Sequence, residues 1–168
     1  MLEPEVCVII VLVEIDVLID AEFHELLEPD WLRAVAGQAL NLEGISSEAE
    51  LGLVVTGQER IQELNKSYLG KDRPTDVISF YMLSPDGSAL SDFITPPDGQ
   101  RHLGEVVISY PQAMIQAEEQ GHSVNTEVAV LVIHGVLHLL GYEDETPELK
   151  EQMSLREREI LNHVEIPD

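Results

Sequence analysis

Two histidines and an aspartate carry the most legible chemistry in this chain. They lie in the segment His134-Gly135-Val136-Leu137-His138-Leu139-Leu140-Gly141-Tyr142-Glu143-Asp144. At 3.6 residues per turn, positions i and i+4 of a helix point within about 40° of one another, one turn apart. Two imidazoles so placed can grip one metal ion, as in His-Glu-x-x-His helices. Here Gly135 stands where that motif has its glutamate, so the general base of a metallopeptidase is missing from its usual place. Gly141 sits where the helix should stop, and a turn after it brings Asp144 back toward the histidines. Three protein ligands with one open position mark a catalytic site, not a structural one. The competing reading makes both histidines core residues, each satisfied by one hydrogen bond. The apolar character of the surrounding helix weighs against it, because buried imidazoles need strong partners and a metal supplies one.

The elements that must position these groups follow from hydrophobic periodicity. Residues 6–19 read as one long strand, with Val11, Val13, Ile15 and Val17 on one face and Glu14 and Asp16 on the other. A helix is expected over 30–43, with Asp30 as its N-cap and Leu32, Val35, Ala36, Ala39 and Leu40 as its apolar stripe. Leu51, Leu53 and Val55 alternate as a second strand. Thr56 and Glu59 match a capping box opening a helix to about Tyr68. Thr75–Tyr81 and Leu103–Tyr110 are β-branched runs, hence strands, and residues 82–102 between them read as one long loop. Ser109, Pro111 and Gln112 open a helix to about Gln120. The helix from about Asn125 to Leu140 is nearly all apolar before its first histidine, so it should be central and buried. Thr146 caps a last helix, with Pro147 at its first position and Leu149, Met153 and Ile160 facing inward. The expected fold class is α+β: a small mixed β-sheet with surrounding helices and a central buried metal-site helix, in a single domain over 1–168.

Composition bounds the partners. The net charge is −23, with 32 Asp and Glu against nine Lys and Arg. That balance argues against broad neutralisation of nucleic-acid phosphates, and leaves open a local basic groove. Lys66, Lys71 and Arg73 fall close together in sequence, and Arg101 can join them on folding; the alternative is that they are solvated surface charges. Cys7 is the only cysteine, so no internal disulfide forms, which fits a reducing cytoplasm. The apolar run from Val6 to Val13 ends at Glu14, short of the roughly 20 residues that span a bilayer. Acidic Glu3 and Glu5 precede it where a signal peptide needs positive charge, so a cytoplasmic protein without membrane association is expected.

Three blocks of sequence carry a family resemblance. The histidine segment resembles the YbeY signature His-Gly-x-Leu-His-Leu-x-Gly-Tyr-Asp-His. The block from Leu64 to Phe80, with Gly70-Lys71-Asp72-Arg73-Pro74-Thr75-Asp76-Val77-Ile78-Ser79-Phe80, resembles that family's Arg-Gly-Lys-Asp-x-Pro-Thr-Asp-Val-Leu-Ser-Phe. Leu103-Gly104-Glu105-Val106-Val107-Ile108-Ser109 resembles its Leu-Gly-Asp-Ile-x-Ile-Ser. The resemblance implies a single-domain α+β fold, one zinc ion on three histidines, and single-strand RNA cleavage in small-subunit ribosomal RNA maturation and ribosome quality control. It implies ribosomal RNA and the small subunit or its proteins as partners.

Carried over by position, His134 and His138 match the first two ligands, and the third family histidine falls on Asp144. Aspartate ligates zinc at roughly 2.0–2.2 Å but is shorter and harder than imidazole, which opens the site to manganese. Leu69 stands where the family has an arginine linked to RNA binding or cleavage, so a phosphate clamp must come from Lys66, Lys71 or Arg73. Glu105 retains the carboxylate of the family's aspartate, to orient a ligand, accept a proton, or serve as a plain strand surface residue. His163 and Glu145 are candidate substitute ligands or plain surface residues, and His24, His102 and His122 have no motif around them. The mechanism expected is metal-assisted phosphodiester hydrolysis, with His134, His138 and Asp144 on the ion and Lys71 or Arg73 on the phosphate. Its rivals are a non-cleaving, ribosome-associated binding factor and a metallopeptidase.

Overall fold

The alternation of Val13, Ile15 and Val17 with exposed Glu14, Asp16 and Leu18 builds β1 (Val13–Ile19), which lies at one edge of a four-stranded sheet. The computed structural model describes residues 13–45, 49–81 and 101–167. The expected strand over 6–12 and the expected loop over 82–100 lie outside the described residues. β1 pairs parallel with β2 (Ala49–Thr56), and β2 pairs parallel with β4 (Arg101–Ser109). The other edge, β3 (Val77–Tyr81), runs antiparallel to β4, giving the order β1-β2-β4-β3. Among the described residues, five α-helices complete the α+β fold: α1 (Pro29–Leu42), α2 (Gln58–Leu69), α3 (Tyr110–Gln120), α4 (Val124–Leu139) and α5 (Pro147–Leu161).

The two faces of the sheet are unequal. Ala49, Leu51, Leu53 and Val55 of β2 and Val106 and Ile108 of β4 point into the main core with α1 and α4. Val107, Ile78 and partly buried Val54 and Phe80 point the other way, onto Ile61 and Leu64 of α2. Every buried position of α4 except Glu127 is apolar or glycine, from Val128 to Leu139, so this helix is the centre of the protein as its sequence predicts. Each fully buried leucine or isoleucine, such as Leu51, Ile133 and Leu137, contributes roughly 1.5–3 kcal/mol. The core therefore fixes where α4 lies, and the histidines follow.

Helix starts depart from expectation in two places. α1 begins at Pro29, whose absent N–H and fixed φ suit the first helical position, so Glu28 is the cap residue. Asp30 lies one residue inside the helix and bonds Arg33 at 2.6 Å instead of capping. α2 has no side-chain cap, and Gly57 occupies the cap position. Thr56 is the last residue of β2 and fully buried, so its hydroxyl needs an internal partner and donates to Asp20 Oδ2. Capping by Ser109 and by Thr146 is as expected, at 3.2 Å to the Gln112 N–H and 3.1 Å to the Leu149 N–H. β4 starts at Arg101, two residues earlier than expected, and Tyr110 belongs to α3. A bulge lies where Glu50 pairs His102 and Leu51 pairs Gly104. Gly104 sits at φ +139, and a Cβ there would meet the Phe80 carbonyl oxygen at 2.1 Å.

α4 comes into close contact with the sheet at Gly135. A Cβ on that residue would stand 2.4 Å from Val106 Cγ1 and 3.3 Å from Ser79 Oγ. The Ser79 hydroxyl donates to the Gly135 carbonyl at 2.9 Å, tying helix to strand at the same point. Alanine in place of glycine ordinarily stabilises a helix interior by up to about 1 kcal/mol. Gly135→Ala is expected to reverse that sign, lowering stability by about 1–3 kcal/mol through overpacking, as read from the urea unfolding midpoint. Val106→Ala added to it should recover part of the loss; additive effects of the two changes would contradict the close approach.

Candidate metal centre

The site forms at the C-terminal end of α4. His134 and His138, one turn apart, place their ring centroids 4.6 Å apart and nearly perpendicular, at 79°. Their Nε2 atoms face each other at 3.1 Å. The chain then reverses at Gly141, where φ is +105, with the Gly141 and Tyr142 N–H groups donating to the carbonyls of His138 and Leu137. That reversal delivers Asp144 Oδ2 to 3.8 Å from His134 Nε2 and 3.6 Å from His138 Nε2. The three ligand atoms lie within 4.8 Å of one another. Atoms bound to one ion at zinc distances and tetrahedral angles stand roughly 3.3–3.5 Å apart, so small side-chain adjustments close the set.

The hydrogen bonds around the rings decide where their lone pairs point. His134 Nδ1 is bonded to Glu157 Oε2, and His138 Nδ1–H donates to the Tyr142 carbonyl at 3.0 Å. With both rings protonated at Nδ1, both Nε2 lone pairs converge on the Asp144 carboxylate. Such a cluster needs a positive charge between its members, and three borderline-to-hard donors suit a divalent cation. A second proton on His134 competes for the same role. Burial opposes that charged ring, but the hydrogen bond and charge of Glu157, with Asp144 and Asp76, outweigh burial and raise His134 above the ordinary histidine value.

Tyr142 anchors the turn from both ends. Its hydroxyl donates to Glu43 at 3.0 Å, and the same carboxylate takes the Arg156 Nε–H. Arg156 also donates to the Leu42 carbonyl at 2.7 Å, so the end of α1, the turn and α5 share one polar knot. Tyr81 adds a bond from its hydroxyl to the His138 carbonyl at 2.8 Å.

His134 and Asp144 line a cavity of about 430 Å³, with Asp76, Glu127, Lys150, Ser154 and Glu157 among its other walls. The remaining sequence candidates fall elsewhere. Lys71 and Arg73 are exposed on the turn after Gly70, and neither lines the cavity, although that turn leads to Asp76, which does. Lys66 pairs with Asp72 at 3.8 Å. Glu105 lies over Gly52 on the α2 side of the sheet, opposite the face that Val106 presents to α4, so the structure does not bring it to the histidines. Leu69 is exposed at the end of α2. His102 bonds Glu50, His163 bonds the Glu159 carbonyl, and His24 and Glu145 are exposed, so none of these joins the cluster. The side chain of Arg101 lies outside the described residues. His122 reaches the cavity wall indirectly, through a 2.7 Å bond to Glu127.

Sequence reasoning missed Glu157, Asp76, Glu127 and Lys150. Glu157 had a signal: it falls between Met153 and Ile160 on the inward stripe of α5, where a carboxylate needs a buried partner.

Fold and site together define a small α+β protein with a three-donor candidate metal centre at the end of a buried helix. The family model for Endoribonuclease YbeY matches residues 19–165. An Endoribonuclease YbeY from Dehalococcoides mccartyi is 46% identical over 154 residues, 90% of this chain and 96% of that one. One from Bacillus cereus is 43% identical over 130 residues, 77% of this chain and 82% of its own. The solution structure of TM1509 from Thermotoga maritima shares the fold, with a TM-score of 0.55, covering 89% of this chain and 90% of that one at 24% identity. The chain belongs to the YbeY family.

Glu157→Gln keeps the shape of the side chain but removes the carboxylate that orients His134. Metal affinity, measured by chelator competition, is expected to fall by about 10–100-fold, the usual cost of losing such a supporting partner. Asp144→Ala should weaken binding further, and Asp144→His should restore or exceed the starting affinity. Unchanged affinity in Asp144→Ala would remove the aspartate from the ligand set.

Proposed function

We propose that this protein is a metal-dependent, single-strand-specific endoribonuclease acting in 3′-end maturation of small-subunit ribosomal RNA and in ribosome quality control. The observation that carries the reading is the convergence of His134 Nε2, His138 Nε2 and Asp144 Oδ2 beside an open cavity. Relatives that carry the name endoribonuclease support it. A divalent ion on these three residues, zinc or manganese, supplies Lewis acidity toward a phosphoryl oxygen and toward water.

The protein's own groups do the remaining work. Glu157 holds a proton on His134 Nδ1, and the Tyr142 carbonyl holds one on His138 Nδ1, which keeps both Nε2 atoms available as ligands. Asp76 offers a carboxylate at the same cavity, steadied by the Val77 N–H at 2.8 Å, and is placed to accept a proton from water. Lys71 and Arg73, on the turn that leads to Asp76, steady the RNA backbone outside the cavity. With a net charge of −23, binding rests on such local contacts and on help from the small ribosomal subunit or its proteins, in the cytoplasm. No helix among the described residues is long and apolar enough to cross a membrane.

A second reading, a ribosome-associated factor that binds without cleaving, draws on Leu69, which presents neither charge nor hydrogen bond at the end of α2. A metallopeptidase is disfavoured by Gly135, since Val106 leaves no room there for a catalytic glutamate.

Single-stranded RNA should be cut by the metal-loaded protein, and the same sequence in a duplex should resist. His138→Ala should lose more than the about 10–100-fold that a supporting residue costs, while the fold, read by circular dichroism, persists. Equal cleavage by wild type and His138→Ala would sink the proposal, and RNA binding without any cleavage would favour the binding factor.

A further inference from the structure

Among the described residues, one lysine or arginine lines the cavity, and it is Lys150. It lies in the first turn of α5, and Ser154 and Glu157 follow at i+4 and i+7, so all three belong to one stripe of that helix. The inner end of the stripe is committed, because Glu157 is bonded to His134. The outer end is not. Lys150 makes no ion pair or side-chain hydrogen bond with any described residue, in contrast to Arg33, Arg60, Lys66 and Arg156, each of which faces a carboxylate.

The cavity carboxylates do not need Lys150 as a counter-ion. Glu157 is engaged with His134, and Glu127 takes Gln116 at 2.8 Å and His122 at 2.7 Å. Asp76 takes the Val77 N–H, and Asp144 lies in the donor cluster. An ammonium with no partner among the described residues, in a cavity whose four carboxylates are engaged elsewhere, favours an anionic group on whatever enters. At 1.5 Å per residue, Lys150 and Glu157 are separated by roughly 10 Å along the helix axis. Lys150 therefore stands toward the outer end of the cavity, about two turns of helix from the residue bonded to His134, where a strand entering the cavity would pass.

We infer that Lys150 is a backbone-phosphate contact for this chain's substrate strand at the cavity, in addition to Lys71 and Arg73 outside it, supplying from α5 the positive charge that Leu69 does not supply from α2. The inference rests on the endoribonuclease reading and names a binding residue within it. A flanking contact is made equally in ground and transition states, so its loss raises KM and leaves kcat unchanged.

The test uses the full-length metal-loaded protein and two substrates: a cleavable single-stranded RNA for kinetics, and a 2′-O-methyl single strand, checked by gel to stay intact, for binding across a salt series. Lys150→Ala is expected to raise KM and Kd several-fold, on the order of fivefold, and to make the salt dependence shallower by about 0.7 in log–log slope, one phosphate contact. Lys150→Arg should keep the wild-type slope. Arg158→Ala, the same charge lost from an exposed position on the same helix that does not line the cavity, should change neither quantity. An unchanged slope in Lys150→Ala with cleavage intact overturns the assignment and leaves the nuclease reading in place. So does a fall in metal content with an unchanged slope, which would mean that Lys150 serves the site's carboxylates. A wild type that binds without cutting overturns the nuclease reading alone, and the slope still decides Lys150. No binding by the wild type overturns both.

Discussion

The close approach of α4 to the sheet at Gly135 is the constraint on which the rest of this structure turns. Val106 and Ser79 fill the space where any larger residue would put its side chain. Because the helix lies flush on β3 and β4, His134 and His138, which flank Gly135 on α4, are set at a fixed depth beneath the surface. The Ser79 hydroxyl on the Gly135 carbonyl and the Tyr81 hydroxyl on the His138 carbonyl hold the helix in register along the strand. A glutamate at this position is thereby traded for packing. The helix therefore lacks, at this position, the internal base of peptidase-type helices.

The donor set depends on groups far apart in sequence. Asp144 arrives by a tight reversal, and a reversal alone would leave it free to swing. Tyr142 prevents that, because its carbonyl is bound to His138 and its hydroxyl to Glu43. Glu43 is in turn held by Arg156, one residue before Glu157 on α5. One helix therefore supports both halves of the site, Arg156 through the turn that carries Asp144 and Glu157 through the His134 ring. Removing either partner in such a network leaves the other polar group half-buried and unsatisfied, which is where the energetic cost arises.

What the sequence made legible follows from the range of each interaction. The spacing of His134 and His138, the glycine that ends α4 and the return of Asp144 are local, and the structure brings these three residues together. Strand alternation in β1 and β2 and the apolar run of α4 are also local patterns. Glu105 depended on a face that only the register of β4 against β2 and β3 decides, and a bulge beside it resets the alternation. Thr56 resembled a cap in sequence, but its hydroxyl goes to Asp20, 36 residues away. Glu157 is marked by the inward stripe of α5, but its partner His134, like the placement of Glu127 and Lys150, depends on helix docking that no short-range pattern encodes.

Charge poses the sharpest question about such a site in such a protein. At 0.1 M ionic strength, exposed charges more than about 10 Å apart are largely screened, so the overall −23 matters less than what lies within one cavity. There, an aspartate where the YbeY signature has its third histidine would cancel one charge of a divalent ion held by the cluster and make the site harder, favouring oxygen-loving metals over soft ones. The same exchange would weaken the pull of such a site on a phosphate, already opposed by Asp76 and Glu127. Lys150 is the one lysine or arginine among the described residues that lines this cavity, so under the endoribonuclease reading it is the cation available to offset that loss. The exchange at position 144 and the proposed role of Lys150 thus meet in one electrostatic balance, set by the charges within a Debye length of the cavity.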